Sequence, residues 1–224
     1  MKGDESMKEH PIIFSGEMVR AILAGHKTQT RRVIRPQPQG WDPQIETDGI
    51  TWAWCIVGDH DYSEQIRCCP YGQPGDTLWV RESACYAFDC DGDVDGICAY
   101  RADVDPLSDW HKYKFIPGTE AADWNGHTGW RPSIHMPRWA ARLTLEATGV
   151  RVERIQDISE EDVLAEGCGL SSWGLDQQTG AELGLRTAGF AELWDSINAR
   201  RGFGWDTNSW VWVIEFKVKE RGSK

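Results

Sequence analysis

Residues 11–34 read PIIFSGEMVRAILAGHKTQTRRVI, a strand, a helix and a second strand in quick succession. Ile12–Phe14 is a short apolar run of strand character. Ser15 supplies an N-cap hydroxyl, and Glu17 puts a carboxylate in the first helical turn, where the dipole favours it. Met18, Ile22 and Leu23 make one apolar face, and Gly25 is a natural C′ stop. The chain turns over Gly25–Lys27 and enters a strand predicted for Thr28–Ile34, which RPQPQG then breaks. Turn and strand together gather Lys27, Arg31, Arg32 and Arg35 around two threonines, with no acid between them. The rest of the chain is acidic, for the formal net charge is −11.

That balance sets limits on function. Long nucleic acids are held largely by Lys and Arg on phosphates, so a chain this acidic is a poor general coat for them. A local basic pocket still suits a small anion, a nucleoside or one nucleotide of a strand. The 224 residues, 40% hydrophobic with 13 Trp, suffice for one generous core. No apolar run approaches the roughly 18–20 residues that cross a bilayer, so no membrane partner is expected. The opening MKGDESMKEH has no signal-peptide core, which predicts a cytoplasmic location. The seven cysteines, Cys55, Cys68, Cys69, Cys85, Cys90, Cys98 and Cys168, then read as reduced thiols. No C-x2-C pair marks zinc; Cys90, Cys98 and His111 could be assembled into a site, but their spacing does not demand it, and neither metal nor cofactor is expected.

Downstream, residues 37–67 and 83–130 read as two long loop-rich insertions, holding much of the Asp, Gly and Pro. DCDGDVDG resembles a calcium loop only in its aspartates, because no Glu stands at the twelfth position; it reads as a solvated turn. YGQPGDTLWVRE is a Pro-Gly turn and a strand, Leu78 and Val80 on one face, Trp79 and Arg81 on the other. Leu143/Leu145 and Val150/Val152 mark one or two further strands. ISEEDVLAEGC is a short helix: Ser159 caps it, Asp162 stands at N3 as a short-armed capping box, Val163 and Leu164 pack, and Gly167 ends it. TAGFAELWDSIN is another helix, with Phe190, Leu193, Trp194 and Ile197 facing the core. SWVWVIEFKV alternates as a strand, with Trp210, Trp212, Ile214, Phe216 and Val218 on one face. This order lacks regular βαβ alternation and predicts an α+β fold with a small mixed or antiparallel barrel. Residues 1–10 read as a disordered segment and 11–219 as a single domain.

Three residues draw chemical interest. Lys27, among cations, should bind its proton weakly if buried and so could act as a general base, although an exposed turn lysine is the common fate of its type. A lysine near the Thr30 hydroxyl would make a base–nucleophile pair. Glu166 lies at a helix end that disfavours a carboxylate, and partial burial there would suit a general acid. Arg81, Glu82 and His135 are further polar residues flanking predicted strands. No G-x-S-x-G, P-loop, G-x-G-x-x-G or H-E-x-x-H occurs, which leaves the common hydrolase, kinase and dehydrogenase readings unsupported.

ILAGHKTQTRR resembles the G-x-K-T-x-T-x-R signature of ASCH domains. LEATGVRVERIQDISEEDVLAEG resembles the strand, helix and closing Glu-Gly of that family. CPYGQPGDTLWVRE, WRPSIHMPRWAARL and LWDSINARRGFGWDTNSWVWVIEF are similar to longer ASCH proteins of bacteriophages and prophages. The resemblance implies a PUA-like small mixed β-barrel with flanking helices. It also implies an amidohydrolase acting on N4-acetylcytidine or a related N4-acylated cytosine nucleoside, with Lys27, Thr30 and Glu166 catalytic. Arg32 would hold the base, with Arg31, Arg81, Glu82 and His135 as further substrate-binding candidates. Other members look like RNA binders or ribonucleases, so single-stranded RNA is the alternative partner, with Trp79 or Trp139 stacking on bases.

Overall fold

The computed structural model describes residues 7–38, 44–45, 51–57, 62–88, 94–103, 130–168 and 183–219. In chain order the elements are β1 (Glu9–Ile13), α1 (Gly16–Leu23), β2 (Gln29–Val33), β3 (Gln44–Ile45), β4 (Thr51–Val57), β5 (Tyr62–Cys68), β6 (Thr77–Arg81), β7 (Ala84–Phe88), β8 (Val94–Tyr100), β9 (Trp130–Arg131), β10 (Thr144–Arg154), α2 (Glu160–Ala165), α3 (Leu183–Asn198) and β11 (Trp210–Val218). The fold is α+β.

A five-stranded mixed sheet, ordered β1-β6-β10-β11-β2, is the frame. β1 runs parallel to β6, and the other neighbours are antiparallel. Among the described residues the strands form no closed barrel; β1 and β2 stay the two edges. They nevertheless serve one core. A single apolar cluster takes Ile12 from β1, Val19 and Ile22 from α1, Leu78 and Val80 from β6, Leu145 from β10, four residues of β11, and Ile34 just past β2.

Strand β11, between β10 and β2, explains why sequence alternation understates the burial. Trp210, Trp212, Ile214 and Phe216 face that cluster, as their period-2 spacing requires. Val211 and Val213 face a second cluster with Val163 of α2 and Phe190 and Trp194 of α3. Both faces of β11 are therefore covered, whereas Val218 at its end is 45% exposed. Leu23, Leu164 and Ile197, expected in the core, are exposed as well. Each is next in sequence to a buried residue, Ile22, Val163 or Asn198, so the inward face of each helix falls one position away.

Where they are described, the two insertions read as loop-rich carry strands. Residues 37–67 contain β3, β4 and all but the last residue of β5, a three-stranded antiparallel sheet. Residues 83–130 contain most of a second small sheet, ordered β8-β7-β9. Runs such as TWAWCIV and ACYAF have the β-branched and aromatic content of strands, which the Asp and Gly between them masked. Asp89, Asp91 and Asp93 lie outside the described residues. The N-terminal boundary shifts too, because β1 begins at Glu9. Lys8 donates its amide to Asp76 Oδ1 at 2.9 Å and accepts from the Thr77 amide at 2.9 Å, tying this part of residues 1–10 to β6. No helix among the described residues is long and apolar enough to cross a membrane.

Candidate functional site

Two helix ends meet at the site, and both end in the same way. After α1, Gly25 takes φ +77° and the Gly25 and His26 amides donate to the carbonyls of Ile22 and Ala21. After α2, Gly167 takes φ +80° and the Gly167 and Cys168 amides donate to Leu164 and Val163. These are paired Schellman turns, each needing a left-handed residue that glycine supplies without strain. The first turn delivers Lys27, whose own amide also donates to Ala21. The second delivers Glu166, the C-cap of α2. The segments then join as an isolated antiparallel bridge between Lys27 and Glu166, with the Thr28 amide donating to Ala165 at 2.8 Å.

The side chains complete the junction. Lys27 Nζ donates to Glu166 Oε2 at 2.6 Å and to the Glu166 carbonyl at 2.8 Å. Both residues are buried, Lys27 at 2% exposure and Glu166 at 8%. The last carbonyl of α2 and a carboxylate thus meet one ammonium, both favouring its charge. Burial opposes them and wins: it pulls Lys27 below the ordinary lysine value, against the attraction and hydrogen bond of Glu166. Neighbouring cations were the expected cause; only Arg32 acts in that sense, and it ranks behind burial. The Phe14 ring lies 5.8 Å from Lys27 Nζ.

Strand alternation sends the basic residues to different places, so they do not line one pocket. Thr30 and Arg32 pair with Ile214 and Trp212 of β11 and share their face, toward the first core cluster. Thr30 is buried at 2%, and among the described residues its hydroxyl makes no hydrogen bond, to Lys27 or to anything else. Arg32 Nη2 donates to the Ile13 carbonyl at 2.5 Å, bridging the edges β2 and β1. Its guanidinium lies 5.2 Å from the Phe14 ring, and its buried Nε has no partner. Arg35 stacks on Phe203, 4.7 Å from the ring centre.

Arg31 points the other way and is fully engaged. Its Nε and Nη2 donate to Glu153 Oε1 at 2.8 and 2.5 Å, and Nη2 also to Asp162 Oδ2 at 2.7 Å. Nη1 donates to Gln29 Oε1 at 2.6 Å and to Glu166 Oε1 at 3.2 Å. Its expected role as a substrate ligand therefore gives way to one inside the protein. Asp162 is corrected with it. Ser159 Oγ does accept from the Asp162 amide at 3.1 Å, capping α2. The Asp162 carboxylate, however, closes no capping box and receives Gln29, Arg31 and Arg151 instead. Burial works against that carboxylate, but Gln29 and the two guanidinium groups outweigh it and hold it below its ordinary value.

The remaining candidates stand apart from Lys27. Arg81 donates to the carbonyls of Met136 and Ile134 and lies over Trp79, on the sheet face opposite Leu78 and Val80. Glu82 is buried at 1% and accepts both arms of Arg142, at 2.8 and 3.0 Å. Arg142 also binds Asp103, so the pair reads as a structural lock between β6 and the turn after β8. His135, between the apolar Ile134 and Met136 in sequence, is exposed in a short 3-10 turn.

Phe14, Gln29, Glu153 and Asp162 are the site neighbours that sequence reading passed over. Two signals were available: the alternation of Gln29 and Arg31 in β2, and the i, i+4 spacing of Asp162 and Glu166. Cys168, buried behind Glu166, has its thiol pushed up to about 11 by burial and by that carboxylate. No group of three or more potential metal ligands occurs among the described residues; Cys90 and His111 lie outside them. Compared with protein-family models, with curated proteins and with solved structures, the chain matches none.

Proposed function

We propose that the Lys27–Glu166 junction is the catalytic centre of an amidohydrolase that removes the acyl group from an N4-acylated cytosine nucleoside such as N4-acetylcytidine. The observation that carries the reading is the buried ion pair itself, 2.6 Å from Nζ to Oε2 between residues 139 apart in sequence. Burying two charges is costly, and such pairs are over-represented where a proton must be moved. The G-H-K-T-Q-T-R-R motif and the Glu166-Gly167 helix end, which resemble ASCH domains, support the same reading. The curl implied by one core cluster spanning β1, β6, β10 and β11 and reaching Ile34 beyond β2 supports a PUA-like barrel.

The chemistry runs as acyl transfer. Lys27, its ammonium proton passed to Glu166, takes the proton of Thr30 Oγ1 as that oxygen attacks the amide carbon. A water activated by Lys27 is the alternative nucleophile at the same place. The C–N bond breaks as the exocyclic nitrogen receives a proton from Glu166, releasing cytidine. That leaves the pair as ammonium and carboxylate; in the Thr30 route water then cleaves the ester, one of its protons going to Thr30 Oγ1 and its oxygen leaving with the acyl group as the carboxylic acid. Arg32, with an unspent buried Nε, is the donor for the carbonyl oxygen as it gains charge. The test of the nucleophile compares Thr30→Ser with Thr30→Val. Cytidine from Thr30→Ser but not Thr30→Val assigns the attack to Thr30, equal release from both assigns it to water, and no release by the wild type sinks the hydrolase reading.

One observation favours a second reading, a binder of single-stranded RNA. Trp139 and Ile134 are 59% and 58% exposed, in a segment that also exposes Arg131 and Arg138. An exposed aromatic near guanidinium groups suits base stacking. A Trp139→Ser variant that binds an oligonucleotide as tightly as the wild type would remove that support.

A further inference from the structure

Glu166 is shared between two cations, one on each oxygen. Oε2 takes Lys27 at 2.6 Å and Oε1 takes Arg31 at 3.2 Å. Arg31 is buried at 4%, and each of its nitrogens has an acceptor. Its position is fixed from outside the pair. Glu153 of β10 grips Nε and Nη2, and Asp162 of α2 grips Nη2. Arg151 backs both carboxylates, at 3.2 Å to Glu153 Oε2 and 2.6 Å to Asp162 Oδ2, and pairs outward with Glu215 of β11. An alternating chain of charge thus runs from the buried Lys27 to the half-exposed Arg151.

We propose that Arg31 is a positioning residue for the Lys27–Glu166 pair: anchored by Glu153 and Asp162, it holds the second oxygen of Glu166 and governs how readily Lys27 gives up its proton. The inference rests on Lys27 acting as the base. A guanidinium on Oε1 draws on the carboxylate charge that would otherwise serve the ammonium alone, and it orients Oε2 toward Nζ. The effect runs through the shared carboxylate, since Arg32 is the cation that acts on Lys27 itself. That competition for Glu166 favours the neutral amine that proton abstraction requires.

The ionisable groups that act directly on Lys27 are Glu166 and Cys168 from the end of α2, and Arg32 from β2. The α1 side offers the backbone of Ala21, and the β1 side the Phe14 ring. Arg31 is thus the one cation among the described residues that binds Glu166 in competition with Lys27. A purely structural role would glue α2 to β2 and β10 and leave the protonation of Lys27 alone.

The experiment is an NMR titration of the Lys27 amine in the full chain, with the 15Nζ signal assigned by its loss in Lys27→Arg. In Arg31→Met the titration should move to higher pH by about one unit, a tenfold rise in proton affinity. Arg31→Lys, which keeps the charge but not the fork, should recover most of the shift. Asp162→Asn should move it the opposite way, since a negative charge is lost and Arg31 is freed toward Glu166. It supplies the answer by itself if Arg31→Met does not fold. A titration unmoved in folded Arg31→Met, or moved upward in Asp162→Asn, overturns the proposal. The readout needs no turnover. Shifts in these directions without cytidine release by any variant would retain the control of Lys27 and discard the hydrolase reading, whereas turnover with an unmoved Lys27 would do the reverse.

Discussion

Lys27 sits between opposing forces, and burial outweighs Glu166. The Glu166 carboxylate and carbonyl favour the ammonium, while burial disfavours it. Removing one partner of such a pair leaves the other uncompensated, which costs about 3–5 kcal/mol. Glu166→Gln, which strands both Lys27 and Arg31, should therefore lower the urea unfolding free energy by an amount in that range. A loss under 1 kcal/mol would mean that water already reaches the pair. Asp162 gives a pH-dependent counterpart. Its carboxyl binds its proton less tightly folded than at the unfolded value near 3.8, so the unfolded chain takes up protons first on acidification. Its contribution to stability is complete above that value and is lost as pH falls through the lower folded one. The stability gap between wild type and Asp162→Asn should be full at pH 7 and shrink below about pH 4. A gap constant with pH would show that the carboxylate charge is not what matters.

The elements follow the sequence where caps and periodicity agree. Ser15 and Ser159 cap α1 and α2, Gly25 and Gly167 end them, and β2, β6, β10 and β11 fall where alternation puts them. Sequence reading stops short where the partner is distant. GHKT and AEG can be read as helix stops, but that the two stops face each other depends on the sheet between them. Arg31 and Arg32 are neighbours in sequence and look like one basic patch, yet a strand sends them to opposite faces with opposite fates. In the insertions, the frequent Asp and Gly of the sequence outweighed the short strands among them. The twin glycines allow a test at this scale. Both have positive φ, so alanine at either is strained by about 1 kcal/mol or more. At Gly25 an added Cβ meets nothing within 4 Å, whereas at Gly167 it meets Lys27 Cβ at 3.0 Å and Ala21 Cβ at 3.1 Å. Gly167→Ala should cost more stability than Gly25→Ala in urea melts, and it alone should displace the Lys27–Glu166 pair and lower turnover. Equal losses would mean that the two turns do not press on each other.

Across the whole molecule, the five-stranded sheet is the rigid reference and the site is mounted at its β2 edge. β11 is covered on both faces and is paired on both sides, by β10 and β2. Amide exchange should be slowest along β11 and its partners and faster in β1, an edge strand paired on one side only. Exchange from β11 as fast as from β1 would contradict this arrangement of the core. The acidic surface suits the same picture, because a net charge of −11 disfavours long polyanions and leaves Arg32 as the half-buried donor at the site.

The most direct test of the central claim is the initial rate of cytidine release from N4-acetylcytidine, followed by chromatography, with wild type beside a folded Lys27→Ala variant. Loss of a general base costs about 10²–10⁴-fold, so the wild type should release cytidine and Lys27→Ala at least a hundredfold less. Equal release by both, or none by the wild type, would contradict the assignment of Lys27 and Glu166 as the catalytic pair.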